Sequence, residues 1–317
     1  MSRYPFRAAA NAYLTEYRHV FARSTYEERE RALRRMTSVM EDLCAAGTIS
    51  TTDPAKMTYS DVKEYFAVMK ARGLSSNSMA HEMAYLNSLC KFCGNNCVDM
   101  ARSRYPMIRR TETRKRGPTI PYDVIGKVIL TGMRREGFER LRGYAAVVIS
   151  LSAGLRADEI RNAKRDNLCL EDGTIYVDIV KGRGTYGEPR TIPIHPEALE
   201  LIGRYVRIRD LTIGRNSDYL FCCRSHPGPL ATNTLRKDKA IVSGEVGYDG
   251  ATFQACRRTY GQWLKDEGVP MEALSLHMGH KNSRTTETFY ARQRESDALA
   301  ITKQVWKERN EKMVTED

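Results

Sequence analysis

The residues best suited to chemistry lie between Thr252 and Arg292. This stretch contains Arg257 and Arg258 side by side, two histidines further on, and a late tyrosine, Tyr290. Arginines can hold the charge of a phosphodiester, an imidazole can exchange protons, and a phenol can act as a nucleophile. Each of these residues taken singly is more often a surface or packing residue, but together they indicate chemistry on phosphates.

The charge of the chain also fits a polyanionic partner. Its 317 residues contain 51 Lys and Arg against 39 Asp and Glu, which gives a formal net charge of +12. Such an excess suits nucleic acid better than a small metabolite. The basic bias is strongest in the first third, with 20 basic against 12 acidic residues up to Pro118.

The sequence predicts a cytoplasmic, DNA-associated protein. It has no run of about 18 apolar residues, and charges occupy the first twenty positions, where a signal peptide would be apolar. Three of the eight cysteines, Cys90, Cys93 and Cys97, resemble part of a zinc motif. They share a helical repeat with Leu86 and Leu89 and no second ligand pair follows, so we expect them in a core and expect no metal.

The first hundred residues predict a bundle of about four helices. Apolar residues recur at intervals of three and four from Arg7 to Leu43, from Thr58 to Arg72 and from Ser75 to Phe92. The first range is long enough for two helices, and Arg and Lys would occupy the outer faces. Ser60 and Asp61 are the candidate caps of the third helix.

A basic stretch divides the chain. Between Pro106 and Pro121 a single acid, Glu112, faces five basic residues: Arg109, Arg110, Arg114, Lys115 and Arg116. Such a stretch can simply be solvated, but it can also lie along a phosphate backbone and bind DNA. We therefore predict a helical domain at residues 1–106, a DNA-binding linker at 107–121, a second domain at 122–300 and a tail at 301–317 that could form a docking helix.

The second domain is predicted to combine helices with a small sheet. The segments Ile125–Arg135 and Arg140–Ser152 have helical patterns, and the second is apolar enough to be buried. Residues 168–180 alternate as strands do, with a turn at Gly173, and residues 190–194 would return as a partner strand after a hairpin at Lys181. The predicted fold class is mainly α with a small antiparallel β-sheet (α+β).

Several ordered motifs make nearly the whole chain resemble the tyrosine recombinases, also called phage-type or lambda-type integrases. They are Gly-Leu-Arg-Ala-Asp-Glu-Ile at 154–160, a lysine before glycine at 181, Gln-Ala-Cys-Arg-Arg-Thr at 254–259, Met-Gly-His at 278–280 and the tyrosine at 290. The resemblance implies an N-terminal core-binding domain followed by a catalytic domain.

The resemblance also implies roles for the matched residues. Arg156 and Arg257 would hold the phosphate, with Glu159 as the acid that supports them. Lys181 would protonate the departing 5′ oxygen, and His280 would donate a hydrogen bond or a proton at the same phosphate. These roles suit the side chains, because guanidinium groups bind phosphates in a bidentate manner and an ammonium group can release a proton.

Two departures from the family pattern concern the remaining residues. Gln254 stands where the family's first histidine is usual, and an amide can donate a hydrogen bond but cannot titrate near neutral pH. Tyr290, the implied nucleophile, lies one residue further from His280 than is usual, with Phe289 in the expected place. Tyr260 in the preceding helix is the rival nucleophile.

The resemblance implies a site-specific DNA recombinase that cleaves and rejoins strands through a 3′-phosphotyrosyl intermediate, without a metal or cofactor. Its partner would be double-stranded DNA, on which it would assemble as a homo-tetramer, although it could be a monomer in solution. Integration of a mobile element is the first choice and chromosome-dimer resolution the second. Two alternatives stay open: a catalytically impaired sequence-specific DNA-binding protein of the same fold, and a type IB topoisomerase.

Overall fold

The chain divides into two compact units, residues 1–115 and 116–317. The computed structural model describes residues 4–108, 117–179 and 188–279. Each unit has its own hydrophobic core: Ile108 belongs to the first and Ile120 to the second. The division between the units lies inside the predicted linker range 107–121, and the predicted bounds of the domains, linker and tail stay predictions.

Residues 4–108 of the first unit contain five α-helices, one more than the sequence predicts. They are α1 (Pro5–Glu16), α2 (Arg23–Ala45), α3 (Tyr59–Ala71), α4 (Ser76–Phe92) and α5 (Cys97–Arg104), followed by a 3₁₀ turn at Pro106–Ile108. Helix α5 escapes prediction because it has only eight residues, of which three are buried. Two turns are too short to show a helical repeat in the sequence. Cys90 and Cys97 lie in this core, which agrees with a packing role.

The start of α3 corrects a second prediction. The cap is Thr58, whose side-chain oxygen accepts a hydrogen bond from the Asp61 backbone, rather than Ser60 or Asp61. Asp61 completes a capping box and accepts from the backbone N–H of Thr58 at 2.7 Å and of Ser50 at 2.6 Å. Burial raises the pKa of the Asp61 carboxyl, but these hydrogen bonds outweigh it and hold the pKa below its usual value.

The second unit is organised around one buried helix. In residues 117–179 and 188–279 its helices are α6 (Tyr122–Met133), α7 (Phe138–Ala153), α8 (Ala157–Asn162), α9 (Leu199–Thr212), α10 (Thr232–Val246), α11 (Phe253–Asp266) and α12 (Met271–Met278). All but two residues of α7 are buried, and α6, α9, α10 and α11 pack around it. A helix that is apolar on every side belongs at the centre of a core, as its sequence predicts.

A three-stranded antiparallel sheet completes the second unit. It contains β1 (Leu168–Cys169), β2 (Thr174–Val177) and β3 (Arg190–Pro193) in the order β1-β2-β3. Gly173 forms the turn between β1 and β2 with a φ of +61°, while the predicted hairpin tip at Lys181 lies outside the described residues. The predicted fold class, mainly α with a small antiparallel sheet, is confirmed. Within the described ranges, no helix has the length and apolar character needed to span a membrane.

A buried ion pair ties α7 to α10 and gives a test of this core. Arg142 donates to both carboxylate oxygens of Asp238, at 2.8 and 3.1 Å, and to the carbonyl of Cys222 at 3.0 Å. Replacing Arg142 by Met leaves the Asp238 carboxylate buried without its partner. We expect the free energy of unfolding, measured by urea denaturation, to fall by about 3–5 kcal/mol.

The control is the more exposed pair of Arg165 and Asp210, 3.0 Å apart. Arg165→Met should cost about 1 kcal/mol or less, because solvent screens this pair. Combining Arg142→Met with Asp238→Leu should recover much of the loss, since no buried charge then lacks a partner. A cost below about 1 kcal/mol for Arg142→Met alone would contradict the importance of the pair.

Candidate active site

A tight turn after α7 places the first arginine motif. Helix α7 ends at Ala153 and is followed by Gly154, whose φ of +65° is left-handed. A Cβ on Gly154 would lie 2.4 Å from the ring of Tyr260. Glycine is therefore required for this turn. Arg156 then precedes α8, where its backbone N–H donates to Glu159 Oε2 at 2.9 Å and its guanidinium to Oε1 at 2.8 Å. One carboxylate thus caps the helix and orients the arginine.

Helix α11 supplies the second arginine. Its start is capped by Thr252, which accepts from the backbone of Ala255 at 3.0 Å. Gln254 and Arg257 lie three residues apart and so share one side of the helix, with the Gln254 side chain exposed. Arg257 is buried, donates to the carbonyl of Gly154 at 2.7 Å, and lies 3.9 Å from the Glu159 carboxylate. The fold therefore brings Arg156 and Arg257 together around one acid.

The end of α12 closes the same cluster. Arg257 donates to the carbonyl of Met278, and Arg156 lies 3.4 Å from that carbonyl and 3.5 Å from the carbonyl of Gly279. Carbonyls at a helix C-terminus carry partial negative charge and attract guanidinium groups. The first two residues of the Met-Gly-His motif are thus held against the arginines; His280 itself lies outside the described residues.

A third arginine, Arg190, belongs to the cluster, although no sequence motif predicted it as a site residue. Its side chain donates to Glu159 at 3.0 Å and to the carbonyl of His277 at 2.8 Å. The sequence did contain a signal for it. Strand alternation places Arg190 on the same face as Ile192, which is buried, and a charge on an inward face requires a partner.

The cluster carries an excess of positive charge. Glu159 is 2% exposed; burial raises its pKa, but Arg190, Arg257 and Arg156 outweigh burial and hold the pKa below its usual range. One carboxylate thus faces three guanidinium groups. Of the three, Arg156 is the most accessible, with 31% of its side chain exposed. This arrangement suits binding of an oxyanion such as a phosphodiester.

The rival nucleophile, Tyr260, is poorly suited to attack. Its side chain is 1% exposed, and its hydroxyl lies 3.3 Å from the carbonyl of Pro193. Burial raises the pKa of the Tyr260 phenol well above its usual value. The phenolate, which is the attacking form, is therefore disfavoured at this position.

Two other residues of these motifs have structural partners. Arg258, which follows Arg257, donates to the carbonyl of Pro118 at 3.2 Å, so it fixes the start of the second unit. The pKa of His277 is lowered by burial and by Arg190. Neither residue is in the predicted catalytic set.

The remaining predicted site residues lie outside the described residues, so their roles stay predictions. They are the catalytic candidates Lys181, His280 and Tyr290 and the linker candidates Arg109, Arg110, Arg114, Lys115 and Arg116. In the described ranges, no three His, Cys, Asp or Glu side chains are grouped so that they could hold a metal ion.

Comparison with known proteins gives relatives along most of the chain. The tyrosine recombinase XerC of Mesorhizobium japonicum is 24% identical over 271 residues, which cover 84% of each chain. The tyrosine recombinase XerA of Pyrococcus furiosus is 25% identical over 73% of this chain and 76% of its own length. The solved structure of the Tn1549 transposon integrase in complex with circular intermediate DNA is similar in fold, with a TM-score of 0.68 and 20% identity over 94% of this chain and 99% of that one.

The family model named for the phage integrase family matches residues 129–296, more than half of the chain. This range contains Arg156, Glu159, Arg190 and Arg257, the four residues that meet in the cluster. The resemblance to tyrosine recombinases is therefore confirmed, and the protein belongs to the phage integrase family.

Proposed function

We propose that this protein is a site-specific DNA recombinase that cleaves and rejoins strands through a 3′-phosphotyrosyl intermediate. The observation that carries the proposal is the meeting of Arg156 and Arg257 around the buried carboxylate of Glu159. Relatives named tyrosine recombinases support the activity. A fold neighbour solved in complex with DNA supports DNA as the substrate.

The arginines would stabilise the negative charge that develops on the phosphate. During attack on phosphorus, negative charge gathers on the non-bridging oxygens, and fixed guanidinium groups stabilise it without having to reorganise. Arg257 is held by the carbonyls of Gly154 and Met278. Arg156 is held by Glu159 and is exposed enough to reach an entering strand. The two side chains would bind the scissile phosphate together.

In the proposed reaction, the phenol oxygen of Tyr290 attacks phosphorus and the bond from phosphorus to the 5′ oxygen breaks. The phenol releases its proton to water, the 5′ oxygen takes a proton from Lys181, and His280 donates a hydrogen bond to the same phosphate. One phosphoester bond replaces another, so the step is balanced without a redox partner or an activated nucleotide. Rejoining reverses it with the 5′ hydroxyl of a partner strand.

The wider assignment follows the same proposal. Residues 1–106 would act as the core-binding domain, the linker at 107–121 would bind the DNA backbone, and four copies would assemble on double-stranded DNA. Integration of a mobile element stays our first choice and chromosome-dimer resolution our second. Assembly of Arg156, Glu159 and Arg257 favours an active enzyme over an impaired DNA-binding protein, and the names of the relatives favour recombination over topoisomerase activity.

The nucleophile can be tested by replacing single tyrosines. Tyr290→Phe should abolish the covalent protein–DNA adduct and leave DNA binding nearly intact, because only the phenolic oxygen is lost. The adduct is measured by gel electrophoresis on a nicked duplex. This duplex carries the target sequence, which is mapped first from the fragments of genomic DNA that the protein binds. Tyr260→Phe is the matched control and should form the adduct at close to the normal rate. Adduct formation by Tyr290→Phe would refute the assignment.

DNA binding should weaken steeply with salt if the linker binds phosphates. Replacing Arg114, Lys115 and Arg116 by alanine should reduce the slope of log affinity against log salt by about one for each lost contact. Titrations of specific and unrelated duplexes should show the same reduction, since backbone contacts do not read bases. An unchanged slope would mean that these side chains bind no phosphate.

Gln254 tests what the first histidine position contributes. If its work is a hydrogen bond to the phosphate, Gln254→His should leave the single-turnover cleavage rate within about tenfold, or roughly 1.4 kcal/mol. If a titrating group is needed, the same change should accelerate cleavage by about a hundredfold or more. We expect the first outcome, because Lys181 and His280 can supply protons. Gln254→Ala completes the series: a loss well beyond tenfold supports an amide contact, and no loss excludes one.

A further inference from the structure

We propose that Arg190 is a positioning residue for strand cleavage, which orients Glu159 and the end of α12 and thereby holds Arg156 and Arg257 in place for the phosphate. The inference rests on the proposed function and adds to it a residue outside the motifs that indicated the site. Its side chain is 9% exposed. It therefore acts through its neighbours rather than by reaching the DNA.

The first contact of Arg190 is with the acid at the centre of the cluster. Arg190 Nη2 donates to Glu159 Oε2 at 3.0 Å. The same oxygen accepts from the backbone of Arg156 at 2.9 Å and lies 3.9 Å from Arg257 Nη1. Arg190 thus fixes from β3 the oxygen that faces both other arginines. The other carboxylate oxygen is left for the guanidinium of Arg156.

The second contact is with the C-terminus of α12. Arg190 Nε donates to the carbonyl of His277 at 2.8 Å. A Cβ on Gly279 would lie 2.9 Å from the Arg190 guanidinium. Arg190 therefore packs against the residue that immediately precedes His280 in the sequence, in addition to ordering the carbonyls that Arg156 and Arg257 bind.

Only arginine can make both contacts from one position. Its planar group presents Nε and Nη2 donors in fixed and different directions, whereas lysine offers a single nitrogen. Of the three arginines, Arg190 lowers the pKa of Glu159 the most. Among the described residues, the charged groups that face Glu159 are Arg156 at the start of α8, Arg190 from β3 and Arg257 from α11. The titratable His277 on α12 lies beyond Arg190.

The sign of the pH effect follows from this environment. Glu159 has a folded pKa below its ordinary value, so its ionised form is fully present above the ordinary pKa and is lost as the pH falls through the folded one. Removing the charge of Arg190 raises the folded pKa toward the ordinary value. Glu159 then becomes protonated at a higher pH, and cleavage should fail earlier on the acid side.

The experiment compares Arg190→Met and Arg190→Lys in the full chain. We measure single-turnover cleavage of the nicked duplex across a pH series, together with DNA affinity and thermal unfolding. Arg190→Met should cleave at least tenfold more slowly at neutral pH, while its DNA affinity stays within about twofold of the natural protein's. The acid limb of its pH–rate profile, where the cleavage rate falls with falling pH, should move to higher pH. Arg190→Lys should keep the acid limb of the natural protein, because the charge remains, but should cleave at an intermediate rate.

Arg142→Lys is the matched control, because Arg142 is also buried and also binds one carboxylate and one backbone carbonyl, but in contact with Asp238 and not Glu159. It should lower stability and leave the acid limb in place. Arg190→Met with the natural rate and pH profile would overturn the inference, as would an equal shift of the limb in Arg142→Lys. If Arg190→Met does not fold, a natural cleavage rate in Arg190→Lys has the same consequence.

Failure of the two proposals can be told apart. If the natural protein forms no covalent adduct with the duplex, the proposed recombinase function fails. If it forms the adduct and the Arg190 variants form it with the same rate and pH dependence, only the inference about Arg190 fails.

Discussion

The arginine cluster of the second unit depends on the buried carboxylate of Glu159. Glu159 lies among Arg156, Arg190 and Arg257, and the arginines in turn bind carbonyls of Gly154 and of the end of α12. A buried acid is costly without partners, and so are buried guanidinium groups. The carboxylate and the arginines therefore stabilise one another. Because three guanidinium groups face one carboxylate, the cluster keeps a net positive charge that can bind a phosphate. The arginines that give the cluster its positive charge are thus also the groups that order it.

The rest of the unit supplies the rigidity that this arrangement needs. Helix α7 is buried on nearly all sides, so its C-terminal turn at Gly154 has little freedom to shift. Helix α11 packs along α7 and carries both Gln254 and Arg257, while Arg190 comes from β3. Packing against one central helix fixes the distances between arginines that come from separate elements, as preorganised electrostatic stabilisation requires.

Local patterns predicted the elements well, and long-range pairing was harder to predict. The apolar run of α7 and the alternation of β2 and β3 were sufficient to place those elements, and the motif around Arg156 pointed to Glu159. Helix α5 was missed because its two turns bury only three residues. Arg190 was missed because its importance lies in contacts with residues 31 and 87 positions away. Those contacts exist only once the sheet and α12 have packed on α8.

The spacing of the cluster along the chain has a consequence for biogenesis. Its members come from positions 154–159, 190, 257 and 278–279, and the contact of Arg156 with Met278 spans 122 residues. A nascent chain therefore exposes the first arginine long before the carbonyls that orient it have left the ribosome. Contacts between residues this far apart in the sequence form late. The arginine cluster is therefore complete only after α12 has been synthesised. Truncated translation products would therefore lack the assembled arginine cluster.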